Sequence, residues 1–302
     1  MRFTNRSTLA SNRRLTTRCD VELILGHNQF IGVSHISEER GREREKTFSK
    51  VENIYRVVEA ASAVGFKDMI IETHPRMLEF LRYYHRAQTF DMNFYLQVPY
   101  VQALVQTVNQ RGMKGFLSEI IGRAGIAGTS SLALKGAVNL LKKDYLSVAL
   151  SYLKLEIAPF SEFNIKALIL HNVLTDLLMA LEVSSAFSMF VEYAHDTLKL
   201  DMGLATWNFL LVTRNIDQWN LHPAFVMTPV NINGFDMNPT QQEVETALKG
   251  YRGDIIAMNV LGGGAFPLAD SSAYVKSFNR VTRCVIGASS KEHLSQLREA
   301  FS

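Results

Sequence analysis

Cysteine is nearly missing from this chain: Cys19 and Cys284 are the only two among 302 residues, and they lie far apart. That excludes a disulfide framework and gives no cysteine spacing of the metal-binding kind. No apolar run approaches the roughly 20 residues needed to cross a bilayer, and no secretory pattern opens the sequence. A cytoplasmic protein without membrane contact is the expectation. A charge surplus of one sign is also missing from most of the chain. The formal net charge is +3 and the pI about 8.8, but Arg2, Arg6, Arg13, Arg14 and Arg18 all precede the first acid, Asp20. Beyond that tail the chain is near neutral, which argues against a nucleic-acid surface. Residues 1–20 read as a basic tail: a polar leader, a short hairpin or an arginine-rich targeting segment.

What is there is the composition of an ordinary globular protein, 47% hydrophobic and 20% charged, enough apolar surface for a substantial core. Short apolar segments recur over 22–25, 68–71, 93–98, 165–170, 202–205, 224–228, 254–258 and 283–286. Each is followed by a stretch with helical periodicity, and the segments are apolar on both faces, as buried parallel strands are. Eight such units predict an α/β chain folded as a (β/α)₈ TIM barrel over residues 21–302. An open doubly wound sheet would need a glycine-rich turn after its first strand, where this chain reads Gly26-His27-Asn28-Gln29. One connection is oversized: a helical insertion is expected between the third and fourth strands, about residues 101–160, with helices over 101–110, 114–121, 130–142 and 145–157. It reads as a lid, a partner surface or a structural cap.

In such a barrel the chemistry sits where strands exit, because loops from several strands converge there. The candidate catalytic residues are therefore Glu72 and His74 after the second strand, Gln97 on the third and His171 after the fourth. A carboxylate and an imidazole at neighbouring rim positions can divide proton transfer, and histidine changes charge near neutrality. His27, Asn28, Asn172 and Asn231 end other strands and are candidates to bind a substrate. For each residue alone, a loop cap or a satisfied rim histidine is the competing reading. His27, His35, His74, His171 and Glu72 fall near one rim, yet no metal-type spacing joins them, and no metal is expected.

The last two units carry a second pattern. Gly262-Gly263-Gly264 follows the seventh strand, and Gly287-Ala288-Ser289-Ser290-Lys291 leads from the eighth into a helix. Backbone amides of glycine turns and a helix amino end together suit a phosphate or another anion. The mixed-sign run from Glu38 to Lys46 reads as a solvated turn, with Arg40 or Arg42 near enough to the first strand to meet a bound anion.

The segments also resemble a known family. Leu23-Ile-Leu-Gly-His-Asn-Gln-Phe30 is similar to the opening strand of aldo-keto reductases, and Ala60-Ala-Ser-Ala-Val-Gly-Phe-Lys-Asp-Met-Ile-Ile-Glu-Thr-His74 resembles their second unit. Leu168-Ile-Leu-His-Asn172 is similar to the strand carrying their catalytic histidine, Gly203-Leu-Ala-Thr-Trp207 stands for their Gly-Val-Ser-Asn-Phe, and Val285-Ile-Gly-Ala-Ser-Ser-Lys-Glu-His-Leu294 resembles their closing strand and cofactor-phosphate helix. The resemblance implies NADP, with Gly262, Gly263, Gly264, Gly287, Ala288, Ser289, Ser290 and Lys291 toward the cofactor. It also implies departures. Glu72 replaces the family's aspartate and His171 matches its histidine, whereas Met77 stands at the tyrosine position and Gln97 near the lysine position. A thioether donates no proton, and an amide does not lower a neighbour's pKa as an ammonium does. Ala205, Thr206 and Met227 occupy positions that would hold the nicotinamide carboxamide.

Three functions follow from these residues. The first is an atypical NADP-dependent oxidoreductase acting on a small polar or anionic carbonyl compound, with His171 and Glu72 as its acid and base. The second is a non-redox isomerase, lyase or hydrolase acting on a phosphorylated or carboxylated small molecule. The third is a non-catalytic barrel that meets a partner through its insertion.

Overall fold

The computed structural model describes residues 21–33, 37–102, 105–106, 109–110 and 145–302. Eight parallel strands close on themselves in sequence order: β1 Glu22–Leu25, β2 Asp68–Glu72, β3 Asn93–Val98, β4 Ile165–Leu170, β5 Asp201–Ala205, β6 Phe225–Pro229, β7 Ile255–Met258 and β8 Val281–Ile286. β8 returns to β1, pairing Leu23 with Cys284 and Leu25 with Ile286. The expected strands all form, with ends shifted by at most a residue or two.

Alternation along each strand builds two cores from one sequence pattern. One side chain of each pair points into the barrel, where Ile24, Ile70, Tyr95, Ala167, Ile169, Ala205, Phe225, Met227 and Ile256 pack together. The alternate residues, among them Leu25, Met69, Ile71, Leu96, Leu168, Leu204, Val226 and Cys284, meet the surrounding helices in the larger core. Each buried aliphatic or aromatic side chain contributes on the order of 1.5–3 kcal/mol. Interior packing is tight at one glycine in particular. A Cβ on Gly203 would lie 2.1 Å from the Phe225 ring, so the absence of a side chain there lets Phe225 fill the barrel.

Ten α-helices lie wholly within the described residues: α1 Glu38–Thr47, α2 Val51–Ala63, α3 Pro75–Ala87, α4 Tyr145–Ile157, α5 Asn172–Ala180, α6 Ser184–Glu192, α7 Phe209–Trp219, α8 Gln241–Gly250, α9 Leu268–Lys276 and α10 Lys291–Phe301. Their starts are chemically marked. Thr240 caps α8 by accepting from the Glu243 N–H, and Ser290 caps α10 by accepting from that of His293. None of these helices is long and apolar enough to cross a membrane. Of the insertion, the helix expected over 145–157 forms as α4, whereas those expected over 114–121 and 130–142 lie outside the described residues, as does the tail 1–20.

The charged run from Glu38 to Lys46 corrects the sequence reading, because it is helix α1 and not a turn. Ser37 accepts from the Arg40 N–H, Glu38 and Glu39 occupy the first turn, and Arg44 and Lys46 the last, so the charges oppose the helix dipole. Arg42 lies 3.7 Å from Glu38, both exposed, one turn apart. With no apolar stripe to read, charge order and capping were the only signals.

Candidate active site at the carboxyl rim

The inward alternation continues past the apolar layer to the strand exits. Two residues above Ile70 stands Glu72, two above Tyr95 stands Gln97, and two above Ile169 stands His171. Glu72 and Gln97 are register partners across β2 and β3. From the first unit, His27 immediately precedes a short 3₁₀ turn, Asn28–Ile31. It lies with its Nε2 3.5 Å from Glu72 Oε2. His171 lies on the other side, its Nε2 3.9 Å from Glu72 Oε1. One carboxylate therefore faces two imidazoles. Glu72 and His27 are both under a tenth exposed, and His27 Nε2 has no hydrogen-bond partner among the described residues.

The backbone fixes the chemistry of two histidines. His171 Nδ1 accepts from the Val173 N–H at 3.2 Å, capping α5, and His74 Nδ1 accepts from the Arg76 N–H at 3.0 Å, capping α3. An acceptor nitrogen carries no proton, so each neutral ring bears its hydrogen on Nε2. Burial lowers the pKa of His171, against the opposing pull of Glu72 and with help from His27. For His74 burial again leads, followed by the Arg76 charge, and its pKa falls to about 4. Both rings are therefore neutral near pH 7. His74 lies edge-on to the Tyr100 ring with centroids 4.9 Å apart. It serves as a cap and wall of the site rather than as a partner of Glu72.

Several residues that sequence reading missed hold this rim in place. Glu156, on α4, accepts from Thr73 Oγ1 at 2.6 Å, from the Tyr100 N–H at 3.0 Å and from the Tyr152 hydroxyl at 2.7 Å. It ties the insertion's last helix to the exits of β2 and β3. A buried acid near the end of the apolar run Tyr-Leu-Ser-Val-Ala-Leu-Ser-Tyr-Leu-Lys-Leu-Glu-Ile was the available signal. Asp176, on α5, accepts from the Thr206 hydroxyl and from the Trp207 N–H at 2.9 Å, joining the exits of β4 and β5. Gln29 is buried and donates to Gly26 O at 2.7 Å and to Ala288 O at 3.2 Å, bridging the exits of β1 and β8.

The other candidates divide. Asn172 is buried beside His171 with its Nδ2 unpartnered among the described residues. Asn28 is half-buried at the start of the 3₁₀ turn. Asn231 is spent inside its own loop, donating to Phe235 O and accepting from the Phe235 N–H, both at 2.8 Å. His35 lies outside the described residues. No three His, Cys, Asp or Glu side chains among the described residues are gathered so as to hold a metal ion.

At the exits of β7 and β8 the glycine turn is partly self-satisfied. Gly262, Gly263 and Gly264 all have positive φ, a conformation glycine adopts without strain. The Gly262 and Gly264 N–H groups donate to Asn259 O and Leu261 O, so these two amides are not free. A Cβ on Gly287 would stand 2.7 Å from Gln29 Oε1, so its lack of side chain serves Gln29. Ser290 accepts from the His293 N–H as the α10 cap, while Ser289 and Lys291 are exposed. Residues present thus suit the phosphate end of a dinucleotide at the α10 amino terminus. They do not suit its nicotinamide end: the Thr206 hydroxyl is engaged by Asp176, Ala205 and Met227 are in the apolar interior, and Asn208 Oδ1 accepts from the Leu211 N–H.

No protein-family model matches the sequence, and no curated protein sequence does. The fold does have solved counterparts. A Pseudomonas aeruginosa protein named an aldo-keto reductase is 14% identical, with a TM-score of 0.56 over 92% of this chain and 88% of its own. A second structure of that name from Pseudomonas aeruginosa, also 14% identical at a TM-score of 0.56, covers 98% of each chain. At such identity the likeness is one of fold: this chain has the (β/α)₈ barrel of the aldo-keto reductases.

Proposed function

We propose that the chain is a divergent aldo-keto-reductase-like oxidoreductase acting on a small polar or anionic carbonyl compound, with Glu72 and His171 as its acid–base pair. The observation that carries this reading is the carboxylate of Glu72 set between two imidazole Nε2 atoms, at 3.5 Å and 3.9 Å, on the inward face of the rim. At 3.9 Å the Nε2–H of His171 is not committed to Glu72. It is available to a carbonyl oxygen, and it stabilises negative charge as that charge builds. Glu72 in turn stabilises whichever imidazole becomes cationic, so a proton can pass between His27, Glu72 and His171 without a bare charge in a buried place. His27 and Asn172 offer polar contacts to the rest of the substrate.

NADPH would be held in this proposal at its phosphate end by Lys291, Ser289 and the α10 amino terminus, and its nicotinamide ring would supply the hydride when bound. A second reading has its own support, since at the nicotinamide end the Thr206 hydroxyl and Asn208 Oδ1 are already engaged. In that reading the same pair moves protons on a carboxylated or phosphorylated compound without redox chemistry. Titration with NADPH separates the two. Trp207 is about two-fifths exposed at the exit of β5, and quenching of its emission with micromolar affinity is the expected result. No change at millimolar cofactor would move the assignment to non-redox acid–base chemistry. With a turnover assay in hand, His171→Ala is expected to lower kcat about 10²–10⁴-fold.

A further inference from the structure

The loop that leaves β6 at the rim carries a chemically reactive pair. Asn233 is followed by Gly234, and of all the asparagines in the chain it is the one that precedes glycine. At every other asparagine the next residue either has a side chain that crowds the backbone nitrogen or is proline, which lacks the N–H. The fold asks for glycine at 234: its φ is +69°, and a Cβ there would stand 3.0 Å from Gln241 Cβ. Asn233 itself is exposed on the turn, and its side-chain amide makes no hydrogen bond among the described residues. Its Cγ is therefore free to approach the Gly234 nitrogen.

Around this pair the loop is closed tightly. The Gly234 N–H donates to Asn231 O at 3.3 Å and the Met237 N–H to Gly234 O at 3.1 Å, so two turns meet at Gly234. Asn231, wholly buried, grips Phe235 by accepting from its N–H at Oδ1 and donating from Nδ2 to its carbonyl, both at 2.8 Å. One residue on, Asp236 Oδ2 accepts from Asn259 Nδ2 at 2.9 Å, and Asn259 O accepts from the Gly262 N–H at 3.0 Å. The loop thus ties the exit of β6 to the glycine turn after β7. Among these bonds the one from the Gly234 nitrogen is the longest and weakest.

We propose that Asn233 is a site of self-modification, at which the Gly234 nitrogen attacks Asn233 Cγ. The N–Cγ bond forms, the Gly234 proton and the side-chain NH₂ leave as ammonia, and a five-membered succinimide remains. Water then opens the ring. Attack at Cγ restores the ordinary main chain with aspartate at 233. Attack at the main-chain carbonyl carbon leaves isoaspartate, whose main chain runs through Cβ and Cγ and is one atom longer. Water is the co-reactant, and nothing is oxidised or reduced. An exposed turn accommodates the aspartate. The isoaspartate puts its extra atom inside the Asn231–Phe235 closure, which releases Phe235 and with it the tie from Asp236 to Asn259.

The test is peptide mass mapping of the full chain after incubation at mildly alkaline pH. Expected is the mass gain of NH₂ exchanged for OH in the peptide that holds Asn233, at a rate at least about tenfold above that of any other asparagine-containing peptide, and no such gain in Asn233→Ser. An endoprotease that cuts before aspartate but not before isoaspartate separates the two products. In the isoaspartyl form the Phe235 amide is expected to exchange its hydrogen at least about tenfold faster than in the parent, and in Asn233→Asp at the parent's rate. The proposal is overturned by a mass gain in urea with none in the folded chain, by an equal gain in Asn233→Ser, by aspartate as the only product, or by a Phe235 amide as protected in the isoaspartyl form as in the parent. This chemistry does not depend on the acid–base pair, and neither result bears on NADPH.

Discussion

Removing the carboxylate of Glu156 tests how the rim is held. Among the described residues its two oxygens accept from Thr73 Oγ1, the Tyr100 N–H and the Tyr152 hydroxyl, and the residue is buried. Glu156→Ala leaves all three donors without that acceptor. The hydroxyls of Thr73 and Tyr152 can rotate toward another acceptor, but the Tyr100 amide is fixed by the backbone. At about 1–3 kcal/mol for a buried donor left unpaired, with partial rescue of the two hydroxyls, the expected loss is about 3–4 kcal/mol. Glu156→Gln is different, because the amide oxygen can take the place that receives Thr73 and Tyr100, and the Tyr152 hydroxyl can turn to accept from the amide NH₂. What is lost there is charge assistance, about 1 kcal/mol. Urea denaturation of the two variants followed by far-UV circular dichroism measures both values. A rim-specific readout accompanies it: the imidazole resonances of His171 and His27 should shift in Glu156→Ala, since Thr73 follows Glu72 directly, and return toward the parent positions in Glu156→Gln. Equal small losses in both variants, with unmoved imidazole resonances, would refute the claim that Glu156 holds the exit of β2.

Three further outcomes are expected. Gly203→Ala drives a methyl into the Phe225 ring, 2.1 Å away, and overpacking of this kind should cost about 1–3 kcal/mol in urea melts, relieved by the double change Gly203→Ala, Phe225→Leu. His74 has a folded pKa of about 4, below its unfolded value of 6.5. The unfolded chain therefore binds the extra proton first, and the contribution of this group is full above pH 6.5 and lost as pH falls toward 4. After allowance for the half-buried ring it amounts to about 1 kcal/mol, and thermal melts of His74→Gln against the parent between those limits should show a flatter slope. Ser290→Ala removes the α10 cap seen in the bond from the His293 N–H and should cost about 1 kcal/mol, whereas Ser290→Asp should not.

Much of this architecture was legible because the physics that sets it is local in sequence. Runs such as 167–170 and 94–98 are buried on both faces, so they read as strands without any knowledge of their neighbours. Polar residues that end such runs read as rim residues, which is how Glu72 and His171 came to the same place from separate units. An acid inside an apolar run could mark Glu156, but nothing local could show that it reaches Thr73 across 83 residues, or that Gln29 reaches Ala288 across 259. The glycines after β7 misled in the opposite direction: a glycine-rich turn suggests amides waiting for an anion, yet two of the three are consumed inside the turn.

The same distinction decides where a proton donor is to be sought. Met77, the residue at the family's tyrosine position, is fully buried on α3 and packs into the helix layer, not over the barrel mouth. A phenol does stand nearby, Tyr100 after β3, and burial raises its pKa with Glu72 adding to the effect. But its hydroxyl donates to Gln102 Oε1 at 3.3 Å, on the exposed side, while its ring faces His74. The groups that face Glu72 at the mouth are imidazoles, and of these His171 has its Nδ1 held by the helix it caps and its Nε2 directed inward. If carbonyl chemistry occurs at this rim, its proton passes through nitrogen rather than through a phenol, and a rate that depends on the imidazolium should fall as pH rises through a midpoint below the usual histidine value. Tyr100→Phe should leave that profile unchanged. A loss of turnover in Tyr100→Phe comparable to that in His171→Ala would place the donor on the phenol instead.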